Sequence, residues 1–127
     1  MTHFEIDFLP VGEKSKSADA IAMRFGDFGG SADKQFVVVV DGGTQESGKA
    51  LVAHINNYYR TNVVDIAVLT HPDSDHASGL KVVLEEMTVG HLLMHKPWEH
   101  SSERRHMRQR RTHWLPIVRR QSGCLAR

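Results

Sequence analysis

The segment Val68–Leu80, "VLTHPDSDHASGL", places His71, Asp73, Asp75 and His76 on one short turn. Imidazole nitrogens and carboxylate oxygens bind Zn²⁺, Mn²⁺ or iron at about 2.0–2.2 Å. The segment contains no lysine or arginine to offset its two carboxylates, and a divalent cation would do so. On an extended or turning backbone, His71, Asp73 and Asp75 alternate and can converge. His76, adjacent to Asp75, points elsewhere and can reach a second ion. Two ions a few ångströms apart lower the pKa of a water between them and polarise a scissile bond. The same residues also suit a plain capping turn, with Asp73, Ser74 or Ser78 at a helix N-terminus and both histidines merely polar.

The flanking sequence dictates how such a turn is held. "NVVDIAVLT" reads as a buried strand leading into it. Leu80, Val83, Leu84 and Met87 follow at helical spacing, predicting a helix that Gly90 ends. Ligands of sheets with packed helices collect outside the carboxyl ends of strands, where this turn lies. "QFVVVVD" is a dense β-branched run, predicting a strand buried on both faces and ending at Asp41-Gly42-Gly43. Asp41 could reach the same edge and support the His/Asp turn from behind.

Upstream, Phe4, Ile6 and Phe8 alternate with His3, Glu5 and Asp7, predicting a strand with one buried face. A second strand is expected within Ala18–Gly26. Between the third and fourth strands, Ala50, Leu51, His54, Ile55 and Tyr58 predict an amphipathic helix over 47–60, capped by Thr44 or Ser47. "HLLMH" reads as a short fifth strand. The order to residue 95 is β-β-β-α-β-α-β, an α/β (α+β) domain with helices on one or both faces of a sheet.

A chain of 127 residues is one domain by length, and 40% hydrophobic with 24% charged residues suits a soluble globular protein. The longest apolar run, Phe36–Val40, is far too short to span a bilayer. The first ten residues carry two acids and no basic region, predicting no secretory signal. Cys124 stands alone and can form no internal disulfide, which fits a reducing, cytoplasmic setting. The net charge of +1 hides an asymmetry: residues 1–95 hold 7 Lys+Arg against 13 Asp+Glu, and residues 96–127 hold 9 against 2.

"THPDSDH" after a hydrophobic strand resembles the His-x-His-x-Asp-His signature of the metallo-β-lactamase superfamily. "VVVVDGG" resembles the strand and turn that precede it there, and "VGEKSKSADAIAMRFG" looks like an expanded form of its opening hairpin. The resemblance covers residues 4–95. It implies the N-terminal half of a four-layer αββα sandwich and a metal-dependent hydrolase with two Zn²⁺ ions. It implies that His71 serves one metal and that Asp75 and His76 serve the other, with Asp75 also orienting the attacking water. Asp73 departs from the family's histidine and is similar to a variant found in hydrolase domains of DNA-uptake competence proteins. A harder oxygen ligand there favours Mn²⁺ as an alternative. The family's later half supplies further histidines and a bridging aspartate. Only 51 residues follow His76 here, and they contain no aspartate. His91, His95, His100, His106 and His113 remain as candidate histidines, and the bridging carboxylate is absent unless Glu99 or Glu103 substitutes.

Two domains are therefore expected: residues 1–95 as a partial metallo-β-lactamase-like domain, and 96–127 as a basic tail, truncated or frame-shifted. The expected substrate is a small molecule or a phosphodiester. The alternatives are a non-catalytic remnant, or a small nucleic-acid-binding protein that uses Arg104, Arg105, Arg108, Arg110 and Arg111 on phosphates with Trp114 for stacking. No membrane partner is expected. Half a sandwich would leave an apolar sheet face uncovered, predicting self-association.

Overall fold

The computed structural model describes residues 3–11, 18–29 and 34–96. All of the elements lie in the unit Met1–Met94. Strands β1 (His3–Phe8), β2 (Ile21–Gly26) and β3 (Gln35–Val40) form an antiparallel meander. Helix α1 (Gln45–His54) continues into a π-helical turn, Ile55–Tyr59, and crosses to β4 (Val63–Leu69). Helix α2 (Ser74–Glu86) crosses to β5 (Thr88–Met94). Strands β3, β4 and β5 are parallel, and the sheet runs β1-β2-β3-β4-β5. The element order matches the sequence reading. In detail, α2 ends at Glu86 rather than at Gly90, which lies inside β5.

Both crossovers put their helices on one face. Leu51, Ile55, Tyr59, Leu80 and Val83 are almost fully buried there, against Val37, Val39 and Ala67 of the sheet. Strand β3 was expected to be buried on both faces. Only Val37 and Val39 are buried, and Phe36 on the other side is 44% exposed. The reason is topological: no described element covers the second face.

The edge strand β1 also departs from its pattern. Its apolar residues are the exposed ones, with Phe4 at 71% and Phe8 at 76%, while Glu5 and Asp7 turn toward the helices. They are matched there. Asp7 Oδ2 accepts from Tyr59 Oη at 2.5 Å and pairs with His54 Nε2 at 2.9 Å. Glu5 pairs with Arg24, whose guanidinium lies 4.1 Å from the Phe28 ring centroid and 4.6 Å from that of Tyr59. Burial acts to raise the Asp7 pKa, but the hydrogen bonds from Tyr59 and His54 and the nearby positive charge outweigh it and hold the carboxyl below its usual range. Burial and the Asp7 carboxylate push the Tyr59 hydroxyl well up.

The uncovered face is built in cross-strand rows. Phe4, Phe25 and Phe36 lie opposite one another on β1, β2 and β3. Ile6, Met23, Val38, Ile66 and His91 form a second row across all five strands. Phe8, Ile21, Val40, Val68 and Leu93 form a third.

Candidate metal centre

Strands β3 and β4 are adjacent and parallel, so their carboxyl ends emerge side by side. The Asp41 N–H donates to Val68 O at 2.8 Å and ties the two ends together. Thr70, His71 and the start of α2 follow on β4, and Asp41-Gly42-Gly43 follows on β3. The N-terminal half of α2 packs backbone-to-backbone on this second turn. Gly42 N–H donates to His76 O, and Gly79 N–H donates to Gly43 O, each at 2.9 Å. Glycine is required at the contact. A Cβ on Gly42 would sit 1.8 Å from Leu80 N, and one on Gly79 would sit 1.8 Å from Gly42 O.

Asp41 lies at the centre of this junction. It is 1% exposed and adopts φ 55°, a left-handed conformation that few non-glycine residues hold. A buried carboxylate must be hydrogen-bonded. Thr70 N–H donates to Oδ1 at 2.9 Å, and Thr70 Oγ1 donates to Oδ2 at 2.5 Å. His76 Nδ1 lies 3.1 Å from the same Oδ2.

These bonds assign the protons of both histidines. A carboxylate can only accept, so His76 Nδ1 carries the hydrogen and donates to Asp41. The Thr70 hydroxyl has spent its one hydrogen on Asp41. It can therefore only accept from His71 Nδ1, 2.8 Å away. Both imidazoles are thus left with Nε2 as the open lone pair, oriented by partners on the other ring nitrogen. The rings lie side by side, with centroids 3.8 Å apart.

Asp41, His71 and His76 each offer a ligand atom within 4.8 Å of the others. Two imidazoles beside the turn carboxylates are a donor set that fits a divalent transition metal such as Zn²⁺ or Mn²⁺, while Asp41, its oxygens taken by Thr70 and His76, holds them from behind. A model of the metallo-beta-lactamase superfamily matches residues 32–122. The chain belongs to the metallo-β-lactamase superfamily. This family is metal-dependent. The match includes the Asp41 turn and the His/Asp turn, begins after the β1–β2 hairpin, and extends beyond residue 95. A search of curated proteins and a search of solved structures each found no match.

In this superfamily member the turn residues fall into two groups. His71 and His76 come together, contrary to the expectation that His76 points elsewhere. Alternation holds only while the backbone is extended, and α2 begins at Ser74. Helical winding then brings His76 back beside His71. Asp73 occupies the N-cap position, but its side chain makes no capping bond. Its Oδ2 lies 4.0 Å from His71 Nε2, the nitrogen left open for a ligand. Asp75 lies in the first turn of α2, half-buried, outside the group formed by Asp41, His71 and His76.

Thr70 was not singled out from the sequence. Its only signal was a hydroxyl residue at the end of an apolar strand, directly before the first histidine. Of the remaining histidine candidates, His91 lies on β5 and His95 just beyond it, both exposed. His100, His106 and His113 lie outside the described residues, as do Glu99, Glu103, Trp114 and the arginine cluster from Arg104 to Arg111. No helix among the described residues is long and apolar enough to cross a membrane.

A cavity of about 750 Å³ opens at the other end of the sheet, lined by Gln35, Asn56, Arg60 and Asp65 among others. It contains none of the site residues. The possible donor set of Asp41, His71 and His76 lies at the opposite, carboxyl edge.

Proposed function

We propose that the chain is a metal-dependent hydrolase acting at the His71–His76 turn, on an ester, amide or phosphodiester bond. The observation that carries this reading is the paired orientation of His71 and His76, each held through Nδ1 so that Nε2 is open to a cation. His71 and His76 would hold the metal through Nε2. Asp73, across 4.0 Å from His71 Nε2, would add a carboxylate oxygen. When bound, a Zn²⁺ ion would supply Lewis acidity, lowering the pKa of water and polarising the substrate. Mn²⁺ is the alternative that the two turn carboxylates favour.

The roles of the chain's own groups follow from position. Asp41 acts as a positioning residue: Thr70 and His76 engage both of its oxygens, and it is buried beneath the histidines. Asp75, on the first turn of α2, would complete the ligand set and accept the proton released by the attacking water. The His-x-Asp-x-Asp-His spacing, similar to that of competence-associated hydrolase domains, supports a phosphodiester over a lactam.

One observation favours a second reading, in which the chain binds metal without turnover: Asp75 lies outside the group formed by Asp41, His71 and His76. Hydrolysis separates the readings. The chain loaded with Zn²⁺ or Mn²⁺ is expected to cleave an activated phosphodiester or ester, with activity lost on chelation and on Asp75→Asn. Metal uptake with no cleavage of any ester, amide or phosphodiester probe would refute the hydrolase and leave the binding protein.

A further inference from the structure

We propose that the cavity at the amino ends of β3 and β4 binds a small aliphatic amino acid in its zwitterionic form. The proposal is independent of the metal centre, which lies at the opposite edge of the sheet. The β3–β4 ladder begins only at Val38 and Ile66. Before it, the Val37 N–H donates to Asp65 Oδ2 at 2.6 Å, so a side chain stands in for a strand backbone. The cavity opens where the regular ladder stops, and its volume of about 750 Å³ is in the range of small-molecule sites. The backbone facing it is unusual. Helix α1 ends in the π-helical turn Ile55–Tyr59, a rare form that recurs at functional sites, and Arg60 directly after it holds φ 56°. Gln35 Nε2 donates to Tyr59 O at 2.6 Å, and the buried Gln35 Oε1 accepts from no described residue.

Charge selects the ligand. The lining carries one cation, Arg60, and one anion, Asp65. Arg60 pairs with no carboxylate among the described residues. Asp65 spends Oδ2 on the Val37 N–H and keeps Oδ1 as an acceptor. A lone anion in the cavity would meet Asp65, and a lone cation would meet Arg60, so each is opposed by a like charge. A molecule with an ammonium at one end and a carboxylate at the other satisfies both. Its ammonium donates to Asp65, and the Arg60 guanidinium donates to its carboxylate in a forked geometry. The side-chain amides of Asn56 and Asn62, on the same lining, supply further donors to that carboxylate. Val63, 40% exposed, offers apolar contact to an aliphatic side chain.

The test is isothermal titration calorimetry on the full chain, with L-leucine as the probe. Leucine is expected to bind with a Kd tighter than about 5 mM. N-acetylleucine lacks the ammonium and leucine amide lacks the carboxylate, so each is expected to bind at least about tenfold more weakly. Arg60→Gln and Asp65→Asn should each weaken leucine about tenfold. Both variants should keep the wild-type circular dichroism, because Arg60 is exposed and an asparagine oxygen can still accept from the Val37 N–H. A weaker leucine Kd in the wild-type chain overturns the proposal, whether the cavity is then bare or filled by residues outside the described ones. Leucine amide, N-acetylleucine or inorganic phosphate binding as tightly as leucine also overturns it and assigns the cavity to a single charge. Leucine affinity unchanged in either folded variant overturns it as well.

Discussion

Asp41→Ala is expected to lower stability by about 2 kcal/mol or more and to weaken metal binding by about 10–100-fold. The substitution leaves the Thr70 N–H and hydroxyl without their acceptor and leaves a buried histidine, His76, with no partner at Nδ1. The stranded His76 nitrogen is buried and costs about 1–3 kcal/mol, and the cavity adds to it, while Thr70 is exposed and water can replace its acceptor. In a domain of this size the thermal midpoint should fall by about 10 °C or more. Asp41→Asn separates positioning from stability. Its amide oxygen can still accept from Thr70 N–H. Its amide NH₂ must then face the Thr70 hydroxyl and His76 Nδ1, where acceptors are needed. The donor placed against Nδ1 drives the His76 proton to Nε2, the nitrogen proposed to hold the metal. Thermal melts and metal titrations should therefore diverge, with Asn closer to wild type in stability and close to Ala in affinity. Wild-type affinity in Asp41→Asn would show that the tautomer assignment is wrong.

Gly79→Ala is expected to be more damaging still, although it adds one methyl group on a helix where alanine is the better helix former. The new Cβ would lie 1.8 Å from Gly42 O and 2.4 Å from Thr44 O. Both are backbone atoms, so no rotamer change relieves the clash. Helix α2 would have to lift from the Asp41 turn, breaking the Gly42–His76 and Gly79–Gly43 bonds. Loss of more than about 4 kcal/mol, or failure to fold, is the expected result. Gly29→Ala is the control, because its Cβ would meet only the Asp27 carboxylate at 3.7 Å. If Gly79→Ala unfolded in urea at the wild-type midpoint, the close seating of α2 would be contradicted.

The parts of this protein legible in its sequence are those set by local chemistry. Two histidines and two aspartates between a β-branched strand and a helical stripe marked the turn where His71 and His76 come together. The Asp-Gly-Gly after another such strand located its support. The order of strands and helices followed from periodicity. What escaped the sequence depended on partners far along the chain. Alternation in β1 marked two faces but could not say which faced the helices. Asp7 is inward because Tyr59 and His54, about fifty residues later, are there to receive it. The β-branched run of β3 looked buried on both sides, but among the described residues only one side meets helices. The direction of His76 depended on where α2 starts within the turn. Thr70 gains its role only when β3 and β4 lie side by side, which places its hydroxyl between Asp41 and His71.

The central claim is that His71 and His76 present a metal site. Its most direct test is metal content, measured by mass spectrometry on the full chain after loading with Zn²⁺ or Mn²⁺ and dialysis. The wild-type chain should retain at least one equivalent, and His71→Ala with His76→Ala should retain none while keeping its far-ultraviolet circular dichroism. A wild-type chain that retains no metal, or a folded double variant that retains as much as wild type, would contradict the site.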